Sequence, residues 1–255
     1  MIVTIGTFKR YKYNGLSNMR NAFLVLLFSL YAICVIAQVK TNVYLLPGEG
    51  SDFRIFKYLE LDNSIYTINF ITYPIPEKEE DMKSYARSIS NQIDTNVKFI
   101  LIGVSLGGML SVEMADFLHP EKVITISSAK NFNELPWHYR IQKRIPLYKI
   151  FTGRFMKGAS FIAQPLFEPD RKLEKQTCVS MLKNKEPKFM KRTTAMILSW
   201  DRIEYSETVV AIHGNNDHTL PIKNVKVDYQ IEGGSHMMIL TKPNPVNAVI
   251  NKILR

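Results

Sequence analysis

Six short apolar runs alternate with helical patterns from Thr41 to the end of this 255-residue chain. The runs are Asn42–Leu46, Ile65–Tyr73, Val97–Val104, Lys122–Ser127, Thr208–His213 and Val225–Ile231. They are near-continuous in apolar and β-branched residues. Strands of that kind are buried on both faces, which a parallel sheet covered by helices provides. Between the runs, Ser51 or Asp52 can cap a helix through about Glu60, and Glu77 to Ile93 carries Met82, Tyr85, Ala86, Ile89 and Ile93 on one stripe. Leu106 to Leu118 and Pro243 to Leu254 read as further helices. The alternation is interrupted from Ser128 to Ser206, a stretch without a strong strand but with Phe132, Trp137, Tyr139, Tyr148, Phe151, Phe155, Phe161, Phe167 and Phe189. The expected fold class is therefore α/β: a mostly parallel central sheet covered by helices on both faces. A helical cap is inserted at about 129–206 of a single 38–255 domain.

The charge is uneven. The chain carries +10 overall, and residues 130–192 hold fifteen Lys/Arg against five Asp/Glu. A basic chain raises the question of nucleic acid, but no RNA-binding Gly/aromatic pattern, zinc-finger spacing or DNA-binding helix pair accompanies the charge. The expectation is no nucleic-acid partner. The basic stretch reads as a solvated helical face able to meet a membrane surface of anionic lipid, or an acidic substrate.

Ala22 to Ala37 is an apolar run preceded by Arg20. Val35 and Ala37 supply the small residues of a signal-peptidase site, so residues 1–37 are expected to be a signal peptide cleaved near Ala37, or else an N-terminal membrane anchor. Met19 is an alternative start, since Met19-Arg20-Asn21 and the apolar run already make a complete signal peptide. Cleavage would export the protein and leave Cys178 as the one cysteine, with no intrachain disulfide.

The chemistry centres on Gly103-Val104-Ser105-Leu106-Gly107-Gly108, a G-x-S-x-G between a strand and a helix. Such a turn lifts a serine Oγ clear of the backbone, and its glycines omit the Cβ atoms that would collide there. The helix that starts at Leu106 aims its positive end at the site. Asp217 and His236 follow the last two strands in the order Ser, acid, His, on loops at strand carboxyl ends, where open α/β sheets gather their functional groups. Ser105, Asp217 and His236 are therefore the candidate catalytic residues. The backbone N–H groups of Leu106 and Glu49, with Gly50 as the substitute for the second, are the candidate oxyanion hole. Of the other histidines, His119 ends a helix, His213 ends a strand, His138 lies in the cap, and His218 neighbours the acid. No metal and no cofactor are expected.

These pieces together, the Pro47-Gly48 loop, the G-V-S-L-G-G elbow, the H-G-x-x-D loop of His213–Asp217 and the G-x-H at Gly234–His236, make residues 42–255 resemble the α/β-hydrolase superfamily in a compact form. The resemblance implies a cofactor-free hydrolase of an ester, thioester or amide acting through an acyl-enzyme on Ser105. Three departures stand out. The loop reads Pro47-Gly48 where many relatives have His-Gly, which matters little if the donor is a backbone N–H. The short Asp217-to-His236 separation implies a truncated helix between the last strands, and the Glu49 carboxyl would oppose catalysis if it pointed inward. The expected substrate is a small-molecule ester with an apolar acyl or aryl group, held by the cap's aromatics. The alternative is a non-catalytic binding protein on the same scaffold.

Overall fold

The computed structural model describes Phe23, Leu24 and residues 40–255. Apart from Phe23 and Leu24, the signal peptide or anchor expected at residues 1–37 lies outside the described residues, as do Met19, Cys34 and the cleavage point after Ala37. Among the described residues no helix is long and apolar enough to cross a membrane.

In chain order the strands are β1 (Thr41–Leu46), β2 (Tyr66–Phe70), β3 (Phe99–Val104), β4 (Lys122–Ile126), β5 (Val209–Gly214) and β6 (Tyr229–Ile231). The helices are α1 (Met82–Ile89), α2 (Leu106–Leu118), α3 (Trp137–Arg140), α4 (Gly153–Phe167), α5 (Lys175–Lys183), α6 (Pro187–Ser199), α7 (Met238–Thr241) and α8 (Pro243–Leu254). The strands form one parallel six-stranded sheet in the order β2-β1-β3-β4-β5-β6. Successive side chains of a strand leave opposite faces, and the sequence uses both. Tyr44, Leu46, Phe99, Leu101 and Val123 pack with α1 and α2 into one core. Val43, Leu45, Ile100, Ile102 and Ile212 pack with Ile55, Phe56, α7 and α8 into the other. Leu101 and Ile102 are both fully buried, each worth roughly 1.5–3 kcal/mol against exposure.

Several boundaries differ from the sequence expectation, β2 among them, which covers Tyr66–Phe70 of the expected Ile65–Tyr73. The helix expected from Ser51 or Asp52 to Glu60 is one 3-10 turn, Phe53–Phe56. Asp52 caps it, accepting from Arg54 N, but also takes the Arg54 guanidinium, which closes the turn tightly. Behind it only Ile55 and Phe56 are buried, too short an apolar stripe to carry a helix on. Helix α1 begins at Met82 rather than Glu77, because Asp81 caps it from the Ser84 N–H at 2.7 Å and Glu79 before it is left-handed, with φ 64°. Strand β6 is three residues long, and Asp228, expected inside it, lies just outside. Its carboxylate accepts from Ala211 N at 2.8 Å while its own N donates to Ala211 O, so a side chain stands in for the ladder there.

The segment between β4 and β5 contains helices α3 to α6 and no strand. It returns to the sheet at Trp200 and Arg202. Trp200 Nε1 donates to Glu113 of α2 at 2.7 Å, and Arg202 grips both Glu113 and Asp116.

Candidate active site

Ser105 stands between β3 and α2 with φ 51° and ψ −120°, a region a residue with a Cβ rarely adopts. Its N donates to Ile126 O, and its carbonyl accepts from Gly108 N, Met109 N and the Ser128 hydroxyl. Two glycines make this turn feasible. A Cβ on Gly103 would overlap the Gly107 carbonyl across the turn. A Cβ on Gly107 would overlap the Leu46 carbonyl of β1. The second glycine thus supports the turn indirectly, through the close packing of the helix on the neighbouring strand.

The structure brings Ser105, His236 and Asp217 together. Ser105 Oγ and His236 Nε2 are 3.0 Å apart, and His236 Nδ1 and Asp217 Oδ2 are 2.9 Å apart. An ionised carboxylate can only accept, so Nδ1 carries the proton and Nε2 presents its lone pair to the serine hydroxyl. Asp217 is 2% exposed, and its Oδ1 accepts from Leu220 N at 2.7 Å. Burial works against its charge, but His236 beside it and the hydrogen bonds from His213 and His236 prevail and hold the carboxyl well below the usual carboxylate range. For His236, burial favours the neutral ring, yet the Asp217 carboxylate and its hydrogen bond, with Glu168 nearby, raise the pKa above the ordinary 6.5.

The loop after β1 closes the site from the other side. Gly48, Glu49 and Gly50 line, with Ser105 and His236, a cavity of about 150 Å³. Among the described residues the N–H groups of Leu106, Glu49 and Gly50 have no backbone acceptor. The Glu49 carboxyl turns to α6, where Oε1 accepts from the Thr193 and Thr194 hydroxyls at 2.6 and 2.9 Å. Burial pushes its pKa up, against those two hydrogen bonds and the nearby Lys185. Of the aromatic residues singled out between Ser128 and Ser206, Tyr139 alone lines this cavity, while Trp137, Phe155 and Phe167 are exposed. Burial, with the Glu49 and Asp217 carboxylates, pushes the Tyr139 phenol up to about 12, so it stays a neutral hydroxyl.

Two residues at the site were not among the expected site residues. His213, read as an ordinary strand end, is fully buried, with Nε2 2.7 Å from Leu220 O and 3.2 Å from Asp217 Oδ2. It approaches Oδ2, the same carboxylate oxygen that His236 contacts. Glu168, from the turn after α4, accepts from His236 N at 2.8 Å and from Thr219 N and Oγ1 at 3.1 and 2.7 Å. Its spacing from either loop is long, so only tertiary structure connects them. His218, a candidate neighbour of the acid, instead places Nδ1 2.8 Å from Phe167 O at the surface.

No protein-family model matches this chain, and no curated protein matches it by sequence. Solved structures match it well. An esterase from Thermogutta terrifontis superposes with a TM-score of 0.62 at 13% identity, over 85% of this chain and 90% of its own. An enol-lactonase from Burkholderia xenovorans gives 0.64 at 12% identity, over 84% of this chain and 91% of its own. MenH from S. aureus gives 0.62 at 16%, over 86% and 95%. The chain has the α/β-hydrolase fold. Within the α/β-hydrolase fold this chain is economical: a single 3-10 turn, Ile222–Asn224, is the only helical element between β5 and β6. That accounts for the short separation of Asp217 and His236.

Proposed function

We propose that this chain is a serine hydrolase that cleaves a carboxylic ester, with thioesters and amides open to the same chemistry. Ser105 Oγ attacks the acyl carbonyl while His236 Nε2 takes its proton. The imidazolium, stabilised by Asp217, then gives that proton to the departing alcohol. Water enters, loses a proton to the same nitrogen and attacks the acyl-enzyme, releasing the acid and restoring the Ser105 hydroxyl. The N–H groups of Leu106 and of Glu49, or Gly50 in its place, receive the oxyanion of each tetrahedral intermediate. Met109, Met181 and Ile197 give the cavity apolar surface for acyl carbons.

The observation that carries this reading is the pair of hydrogen bonds, 3.0 and 2.9 Å, that runs from Ser105 through His236 to a buried carboxylate at the edge of a cavity. A panel of p-nitrophenyl esters tests it. Turnover by the wild type is expected, with Ser105→Ala slower in kcat by about 10⁴-fold or more. Equal rates for the two proteins would overturn the proposal.

A further inference from the structure

Arg171 lies in the 3-10 segment Pro169–Glu174 and forms part of the wall of the cavity that holds Ser105 and His236. It is 4% exposed. Its Nε and Nη2, the side-on edge of the guanidinium, are shielded from water and have no hydrogen-bond partner among the described residues. A guanidinium does not give up its proton in a protein, and a buried charge is costly to leave unpaired. Two other arginines of this chain show what that edge takes. Arg54 gives Nε and Nη2 to Asp52 at 2.9 and 2.6 Å. Arg202 gives the same two atoms to Glu113 at 2.8 and 3.1 Å. In both cases the partner is a carboxylate with two oxygens side by side, the geometry that the fork matches.

No acid among the described residues forms an ion pair with Arg171, and most of the neighbouring carboxylate oxygens are engaged elsewhere. Glu168 holds His236 N and Thr219. Asp170 Oδ2 takes the Ser235 and Thr241 hydroxyls, and its Oδ1 is buried without a partner. Glu174 takes Lys57, Tyr58 and Thr177. The thiol of Cys178 lies close enough to the guanidinium to act as a hydrogen-bond partner, but a thiol is a weak acceptor and leaves the charge uncompensated. Glu49 also lines the cavity, but its carboxyl is turned to Thr193 and Thr194.

We propose that Arg171 is a specificity residue that pairs with a carboxylate on the acyl part of the substrate. The substrate is then a short dicarboxylic acid esterified at one end. This rests on the hydrolase reading for the ester and on Arg171 for the free carboxylate. The cavity of about 150 Å³ suits a short chain, since that volume holds about one benzene-sized group. The acyl carbons would lie against the apolar lining that Met109, Met181 and Ile197 supply.

The test compares the p-nitrophenyl monoester of glutaric acid with neutral p-nitrophenyl butyrate. The wild type is expected to prefer the anionic ester. Arg171→Met should lower the ratio of the two kcat/KM values by about 100-fold, with Arg171→Lys between. An equal loss on both esters would mean a merely structural arginine and overturn the proposal. Calorimetric titration of glutarate into Ser105→Ala protein supplies a second measurement that needs neither turnover nor an Arg171 variant. Saturable binding of glutarate, with none of dimethyl glutarate, supports the carboxylate site. No glutarate binding, or binding of inorganic phosphate in its stead, overturns it. Glutarate binding by a protein that turns over no ester would sink the hydrolase reading alone. Turnover of neutral esters without glutarate binding would sink the Arg171 assignment alone.

Discussion

Ser105 keeps a backbone conformation that costs a residue with a side chain on the order of 1–3 kcal/mol, and the hydrogen bonds from Gly108, Met109 and Ser128 hold it there. Ser105→Gly should therefore be more stable than Ser105→Ala by about 1 kcal/mol in denaturant unfolding, while both are inactive. Equal stability would mean that the turn stores no strain. His236 sets the pH dependence. It must be neutral to take the serine proton, so kcat/KM should rise with pH through a midpoint above the ordinary histidine value of 6.5. The Asp217 carboxylate, buried but held ionised, is the chief cause of that elevation, so Asp217→Asn should lower the midpoint and slow kcat by about 10⁴-fold. A midpoint that stays in place in Asp217→Asn would contradict the assigned hydrogen bond. The three side chains of this relay were legible because each sits in a short local pattern. Glu168 and Arg171 were not, because nothing local distinguishes a buried glutamate or arginine from a solvated one, and His213, though it opens the H-G-x-x-D pattern, read only as a strand end.

At the scale of elements, the clearest sequence signals were strands and helices with strong boundaries. Helices α2 and α8 have the expected ends, the first set by the glycine turn at Ser105 and the second opened by Pro243. Weaker boundaries shifted wherever a side chain took over a backbone role, as Asp52, Asp81 and Asp228 do at the 3-10 turn, α1 and β6. The contact of α2 with β1 is the one that the serine turn most depends on. Gly107→Ala puts a methyl into the Leu46 carbonyl, and since backbone faces it, no side chain can swing away. The expected cost is about 1–3 kcal/mol or more, read from the unfolding midpoint. A variant as stable as wild type would show that α2 can slide without penalty.

At the scale of the whole molecule, the helical segment between β4 and β5 is tied to the rest of the domain at several places, and two of these ties have distinct consequences. Arg202, Trp200, Glu113 and Asp116 fasten its exit to α2. Arg202→Ala leaves Glu113, 4% exposed, without its cation and should cost about 3–5 kcal/mol by chemical denaturation. A loss under about 1 kcal/mol would show that solvent reaches Glu113 freely. Glu168 fastens the segment to the His236 loop, so Glu168→Ala should cost about 1–3 kcal/mol from the unpaired His236 and Thr219 donors. The parallel order of the sheet follows from strands without polar alternation, and it collects the ends of β3, β5 and β6 where Ser105, Asp217 and His236 meet. That convergence is the central claim, and a fluorophosphonate probe reads it directly. One phosphonyl adduct per folded chain is expected, mapped by peptide mass spectrometry to Ser105 and lost in His236→Ala. Folded wild-type protein that carries no adduct on Ser105 would contradict it.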